Sequence, residues 1–212
     1  LPISGHHYYY IGVNKIWLIV GGIFSALEPL AFLAMALFAV YMYRKGEKSH
    51  PNKIALFWTI GASIVSFIGA GLLGFAHTLP QTNIYTHGTL VTAMHGHYAF
   101  WGAYAMIVLA IISYALPNIT GRKLYDSTRG HMAFWLSNIG MLGMTVAFGV
   151  AGVAQVYMER KMKMDFMDVQ NEISIHFVVL LLCATLFTTG ITLYILEFIK
   201  YGKPTDEALV KE

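Results

Sequence analysis

The chain has 212 residues, of which 57% are hydrophobic and only 12% are charged. Its mean hydropathy is +0.58, whereas an ordinary soluble domain is about a quarter charged and about half apolar. This composition excludes a typical soluble domain and predicts a protein that crosses a membrane several times. The formal net charge of +3 reflects the placement of loops and does not indicate a nucleic-acid partner.

Five apolar segments each reach or exceed the ~20 residues that a helix needs to cross the hydrocarbon core. They lie at about residues 16–43, 54–77, 90–116, 132–158 and 173–199. The connections are short and contain Gly and Pro, so we expect an all-α polytopic bundle that forms a single transmembrane domain over residues 1–212. Small residues are expected where helices pack closely, above all Gly69, Gly71, Gly140 and Gly143.

The distribution of Lys and Arg predicts the orientation of these segments. Ten of these residues fall in the first connection, the third connection and the tail: Arg44, Lys45, Lys48, Lys53, Arg122, Lys123, Arg129, Lys200, Lys203 and Lys211. Because cytoplasmic loops retain positive charge, the C-terminus is predicted to be cytoplasmic and the start of the chain to lie outside. There is no initiator Met and no signal peptide, and we expect the chain to be a portion of a longer subunit.

Two features of the first part of the chain are candidates for chemistry. His6 and His7 precede the first span, where they form a weak candidate for metal binding or a solvated pair. Glu28 lies in the middle of the first span, and an ionisable carboxyl there is by default a functional candidate, in this case for proton transfer. The alternative is a structural carboxyl at a kink produced by Pro29.

The third span contains the strongest signal, His95-Gly96-His97. On a helix, residues i and i+2 point roughly 200° apart, so the two rings leave opposite sides. Each can bind a different planar cofactor, for which haem is the best candidate because neutral imidazole is a common axial ligand. Gly96 would let two bulky macrocycles approach the backbone. The combination with His6-His7 is far more specific than either motif alone.

Two other histidines flank the outer connection that leads into this span. His77 and His87 are candidates to bind haem propionates, and an interfacial role without a ligand is an equal alternative. Cys183 is the only cysteine, so no disulfide can form within the chain, and we expect a small buried residue rather than a reactive thiol.

Three motifs in this order resemble the catalytic large subunit of the cytochrome c-dependent nitric oxide reductase, a relative of the haem-copper oxidases. The motifs are Gly5-His6-His7-Tyr8-Tyr9, Phe24-Ser25-Ala26-Leu27-Glu28-Pro29 and the run from Thr92 to Tyr104 around His95-Gly96-His97. The likeness extends over essentially the whole chain. It implies a bacterial inner-membrane protein whose chain starts on the periplasmic side, and a place among the last five of about twelve helices.

The resemblance implies a role for each candidate residue. His6 and His7 correspond to ligands of a non-haem iron, His95 to the ligand of the high-spin haem b and His97 to a ligand of the low-spin haem b, while Glu28 corresponds to a buried glutamate beside the binuclear centre. The family reduces two NO to N2O and water with electrons from a c-type cytochrome subunit. The remaining iron ligands lie on earlier helices, so this chain is expected to be inactive without the N-terminal helices of the subunit.

Other functions compete with this one. An oxygen-reducing haem-copper oxidase shares the histidine motifs, although Glu28 argues against the main oxidase type, and a quinol-dependent nitric oxide reductase is closer still. A non-catalytic dihaem membrane anchor would explain His95 and His97 only. A transporter that uses Glu28 as a proton relay would leave the histidine pairs unexplained.

Overall fold

The computed structural model describes His7 and residues 9–46, 52–121 and 127–201. Throughout this part of the chain the secondary structure is helical, without strands. The α-helices are α1 (Lys15–Ser25), α2 (Glu28–Lys45), α3 (Lys53–Ser66), α4 (Leu73–Thr78), α5 (Pro80–Thr86), α6 (Leu90–Phe100), α7 (Met106–Thr120), α8 (Ser127–Val156), α9 (Phe166–Glu172) and α10 (Ser174–Tyr201). Wider π-helical turns cover Phe67–Leu72, Trp101–Ala105 and Tyr157–Lys161.

These helices form five stretches that are long and apolar enough to cross a membrane. We number them as span 1 (Lys15–Lys45), span 2 (Lys53–Thr78), span 3 (Leu90–Thr120), span 4 (Thr128–Lys161) and span 5 (Ser174–Glu197). Their ends lie a few residues from the predicted ones. The prediction of an all-α bundle with five spans is confirmed. We call the end at which spans 1, 3 and 5 begin the outer end, following the predicted orientation.

Span 1 is interrupted near its middle. Helix α1 ends at Ser25, and α2 begins at Glu28 after two residues in a turn. Pro29 lies in the first turn of α2, where its missing N–H group breaks no helical hydrogen bond. The interruption places the Glu28 carboxyl at a helix start within the apolar span.

Helix α6, which carries the central histidine pair, begins after a sharp turn. Gly88 has a φ of +73°, a left-handed conformation that glycine adopts without steric cost. Thr89 then caps the helix, because its hydroxyl oxygen accepts a hydrogen bond from the Val91 N–H at 3.3 Å. The same hydroxyl donates to the Thr86 carbonyl at 2.7 Å. These contacts fix the residue at which α6 starts.

The core lies between spans 2, 3, 4 and 5 and is rich in aromatic side chains. Trp58 is fully buried and makes edge-on contacts with Trp101, Phe134 and Tyr194, with ring centroids 6.0, 5.1 and 5.6 Å apart. Such edge-to-face pairs add to the stabilisation that burial provides.

Glycines let the backbones of neighbouring spans approach closely, as predicted. A Cβ atom on Gly69 would lie 2.7 Å from the Ala99 backbone nitrogen, and one on Gly143 would lie 2.5 Å from the Cys183 sulfur. Both distances are shorter than any van der Waals contact. The role of Gly69 and Gly143 in close packing is confirmed, and half-buried Cys183 packs against that glycine.

The inner end of span 3 is held by a buried hydrogen-bond network. The Asn52 amide donates to the Ser113 carbonyl at 2.8 Å, and the Tyr194 hydroxyl donates to the Leu109 carbonyl at 2.9 Å. The hydroxyl groups of Ser113 and Tyr194 are 3.0 Å apart. Because Asn52, Ser113 and Tyr194 are buried, this network ties span 3 firmly to spans 2 and 5.

Candidate haem and metal site

His95 lies on α6 near the outer end of span 3, and its ring faces span 2. Its Nδ1 atom is 2.9 Å from the carbonyl oxygen of Gly69, in the π-helical part of span 2. A carbonyl oxygen can only accept a hydrogen bond, so Nδ1 carries the proton in this contact. In the neutral ring Nε2 then carries the lone pair, and this is the tautomer that an iron ligand requires.

His97 lies two residues further on and contacts a different neighbour. Its Nδ1 atom donates to the carbonyl oxygen of Ala93, four residues earlier in the same helix, at 2.8 Å. Its ring lies 4.9 Å from the ring of Phe148 on α8, at an interplanar angle of 31°. The same tautomer is therefore set for both histidines, but one ring faces span 2 and the other faces span 4.

The residues of this helix fit two planar iron cofactors. Gly96 is exposed, and a Cβ atom added to it would have no neighbour within 4 Å. His97 is also exposed, so there is space on its side of the helix. Two imidazoles with the correct tautomer and open space beside the intervening glycine match what two axially bound haems require.

Glu28 approaches His95 at the position of Gly74 on α4. A Cβ atom on Gly74 would lie 3.3 Å from His95 Cε1 and 3.6 Å from Glu28 Oε2. The absence of a side chain at Gly74 therefore makes the space in which the carboxyl and the imidazole come together. A carboxyl group at this point can hold or release a proton beside anything that His95 binds.

His77 lies directly against His95. The two rings are stacked with centroids 4.9 Å apart, and only 4% of His77 is exposed. Its Nδ1 atom is 2.9 Å from the Leu73 carbonyl oxygen, and its Nε2 atom is buried without a hydrogen-bond partner in the described part of the chain. A buried polar atom without a partner is costly, so this nitrogen is suited to meet a further group.

The chemistry of His77 limits what that group can be. Since Nδ1 donates to a carbonyl, Nε2 can donate to a haem propionate only when the ring is doubly protonated and positive. The neutral ring would instead offer a lone pair to a metal or to a hydrogen-bond donor. The predicted propionate contact therefore requires His77 in its charged form.

The described residues of the segment before span 1 include three aromatic side chains near this cluster, those of His7, Tyr9 and Tyr10. His7 lies within electrostatic range of His77 and His95, and Tyr10 stacks on His87 with ring centroids 3.9 Å apart. The Tyr9 hydroxyl donates to the carbonyl of Thr78, and burial raises the pKa of Tyr9, so this donor stays protonated at physiological pH. His6 lies outside the described residues.

Of the candidates predicted from the sequence, the structure brings together Glu28, His77 and His95. His7 lies within electrostatic range of the two histidines. His87 lies at the edge of this cluster, and His97 lies on the other side of span 3. Within the described ranges, no three His, Cys, Asp or Glu side chains form a group that could by itself hold a metal ion. A metal at this position would therefore need ligands from elsewhere.

Three residues around the site were not singled out from the sequence: Gly74, Phe148 and Gln155. Gln155 is 3% exposed, accepts a hydrogen bond from the Leu90 N–H at 2.9 Å and donates one to the Glu159 carboxylate at 2.8 Å. A polar amide near the end of an apolar span is a signal that sequence inspection could have used. Gly74 and Phe148 are ordinary residues of a helical core, and no pattern marks them.

The helical bundle and the paired histidines of span 3 define an integral membrane protein of a haem-binding class. The sequence profile described as cytochrome c and quinol oxidase polypeptide I matches residues 1–196, and the chain belongs to this family. The chain is also 42% identical over 208 residues to a nitric oxide reductase subunit of Stutzerimonas stutzeri. The resemblance inferred from the sequence motifs is confirmed. That match covers 94% of this chain and 44% of the relative, so the chain spans less than half the length of the relative.

Proposed function

We propose that this chain is part of the catalytic subunit of a nitric oxide reductase. The reaction consumes two NO, two electrons and two protons and yields one N2O and one water. The observation that carries the proposal is that Glu28 and His95 meet at Gly74 while His97 faces the opposite side of the same helix. One side of span 3 thus has a histidine that can bind iron together with a group that can carry a proton. The other side has a histidine alone.

The proposal assigns cofactors to these side chains. His95 would bind the high-spin haem b, His97 the low-spin haem b, and His6 and His7 the non-haem iron. When bound, these groups would supply electrons and would stabilise negative charge that develops on the substrate. His77 and His87 would contact haem propionates at the outer end.

The residues of the chain supply position and protons. The Gly69 carbonyl orients the His95 ring, and Gly96 holds the two ligands within one turn of helix. Glu28 is placed to give a proton to the oxygen atom that leaves as water, a role for which a carboxyl in a water-poor site is suited. Two NO molecules held side by side lose their translational entropy on binding. This loss then no longer adds to the barrier of the reaction between them.

The proposed partners rest on the match to a longer nitric oxide reductase subunit. The remaining iron ligands would come from the N-terminal helices of the same subunit, and electrons from a c-type cytochrome subunit on the periplasmic side. The protein would lie in the bacterial inner membrane, with its C-terminus in the cytoplasm. NO is small and uncharged, so it can reach the apolar spans through membrane lipid.

The test is an assay of the intact membrane complex that contains this chain. Under anaerobic conditions with a reduced c-type cytochrome, we expect NO consumption at an electrode and one N2O for every two NO in the gas phase. Membranes from cells without the chain serve as the control. A complex that carries its full haem content but consumes no NO would overturn the proposal.

Oxygen reduction is the second candidate, because the matching family profile is described by its cytochrome c and quinol oxidases. The same preparation separates the two reactions, since an oxidase would consume O2, contain copper and produce no N2O. Replacing the reduced cytochrome with a quinol separates the cytochrome-dependent reductase from the quinol-dependent one.

A further inference from the structure

We propose that Gln155 is a positioning residue that fixes the start of α6 on span 4 and so sets the position of the two histidines of that helix. The inference rests on the proposed function in one respect, namely that His95 and His97 bind haem. It assigns Gln155 no contact with a cofactor. Its effect is transmitted through the backbone of α6.

Gln155 bonds the start of α6 to span 4. The first N–H groups of a helix have no partner within the helix. At the start of α6 the Leu90 N–H donates to the Gln155 side-chain oxygen at 2.9 Å, across 65 residues of sequence. The Gln155 amide in turn donates to Glu159 at 2.8 Å, which fixes the direction of the amide group. The oxygen and the nitrogen of this buried amide therefore both have hydrogen-bond partners.

Helix α6 rests on a surface of span 4 that contains two glycines. One helical turn before Gln155, a Cβ atom on Gly152 would collide with the backbone nitrogen of Val91. A further turn back, a Cβ atom on Gly149 would lie 2.7 Å from the Met94 sulfur. Residues spaced by three lie along one side of a helix. The Gln155 side of span 4 is therefore in direct contact with the first two turns of α6.

The contact between α6 and span 4 extends to the residues around His97. Met94 is three residues before His97, and the His97 ring packs against Phe148, which precedes Gly149 on span 4. His95 has its own bond to span 2, whereas the His97 ring nitrogen bonds to a carbonyl of its own helix, Ala93. The position of His97 therefore depends on how α6 is seated on span 4.

The inner and outer ends of span 3 are held by different contacts. The inner end of span 3 is fixed by the Ser113 and Tyr194 network, so movement of the span is concentrated at its outer end. Gln155 provides a buried side-chain bond between spans 3 and 4 at that end. Loss of this bond would let α6 shift or rotate on span 4, and the axial imidazole of the low-spin haem would turn with it. Ligand orientation tunes the haem iron.

The experiment compares variants of the intact membrane complex. In Gln155→Leu, the side-chain size is kept while the acceptor for Leu90 and the donor to Glu159 are lost. We expect retained haem content, a shifted low-spin haem signal in electron paramagnetic resonance and a shifted midpoint potential. Ser137→Ala is the matched control, because Ser137 is a buried polar residue of span 4 that bonds within its own helix and contacts Gly190 of span 5.

Exchanging the residue types of Gln155 and Glu159 tests the hydrogen bond between their side chains. Gln155→Glu keeps the acceptor for Leu90 but places two carboxylates together, and adding Glu159→Gln restores a donor and an acceptor with their places exchanged. We expect Gln155→Glu to shift the low-spin haem signal and the double variant to return it to the wild-type position. This pair decides the question even if Gln155→Leu does not accumulate.

The outcomes are distinct from those of the proposed function. Wild-type spectra in the Gln155 variants, or a double variant that is no closer to wild type than Gln155→Glu, would overturn the inference while leaving the reductase proposal intact. A wild-type complex without haem would overturn the proposed function, and the inference with it.

Discussion

The two histidines of α6 are two residues apart, yet their surroundings differ in kind. His95 is bonded to a neighbouring span and lies among His7, His77 and Glu28. His97 is bonded within its own helix and lies against Phe148. Ionisable groups surround the first ligand, whereas an aromatic ring is packed on the second.

This difference fits the division of labour that the proposed reductase would need. Reduction of NO to N2O and water consumes protons, so the reacting site needs groups that carry them. Electron transfer needs only a stable ligand in an apolar setting. A helix with a single glycine between two ligands keeps the two functions close and still separates their chemical environments.

The largest expected effect comes from removing either ligand. His95→Ala should lose the high-spin haem b signal and keep the low-spin signal, and His97→Ala should do the reverse. Both should abolish NO turnover, since each lacks one necessary site. Optical spectra of the reduced complexes check this result. Loss of both signals in both variants would show that the two sides of α6 are not independent.

A smaller loss is expected from Glu28→Gln, which keeps the shape of the side chain but removes its proton. Turnover should fall by about 100-fold or more, as is typical when a general acid is removed. The haem spectra should not change, because the substitution keeps the shape of the side chain beside His95. Glu172→Gln, an exposed change at the end of α9, is the control. Full turnover in Glu28→Gln would make the carboxyl structural.

The smallest effect is expected from His77→Phe, which keeps a ring against His95 and removes Nε2. We expect the high-spin haem to be lost more readily, with an affinity reduced about 10-fold, as for other residues that support a ligand. The low-spin haem should be retained. Haem content after washing in detergent is the measurement. Equal loss of both haems would contradict the separation of the two sides.

Much of the fold follows from the sequence for a simple physical reason. The number of spans depends on the length of the apolar segments, and the close approach of helices depends on small residues such as Gly69 and Gly143. Both properties can be read directly from the sequence. The break before Glu28 is less direct, because Pro29 predicts a kink but does not show that the carboxyl will come to Gly74. That meeting depends on how spans 1 and 2 pack.

The site could be predicted only in part. His95, His97 and Glu28 stand out because polar residues are costly within apolar spans. The partners that hold them are backbone carbonyls, those of Gly69 and Ala93, and every residue has one, so no sequence pattern marks them. The sequence predicted only a short connection before α6, and the structure forms the short helix α5 there with Pro80 in its first turn.

The most direct test of the central claim is the metal content of the intact complex, compared between wild type and His7→Ala. The account predicts one non-haem iron beside two b-type haems in wild type. It predicts loss of that iron with both haems retained in His7→Ala. Copper in place of non-haem iron, or non-haem iron that persists in His7→Ala, would contradict the claim that the His95 side of span 3 is the site of NO reduction.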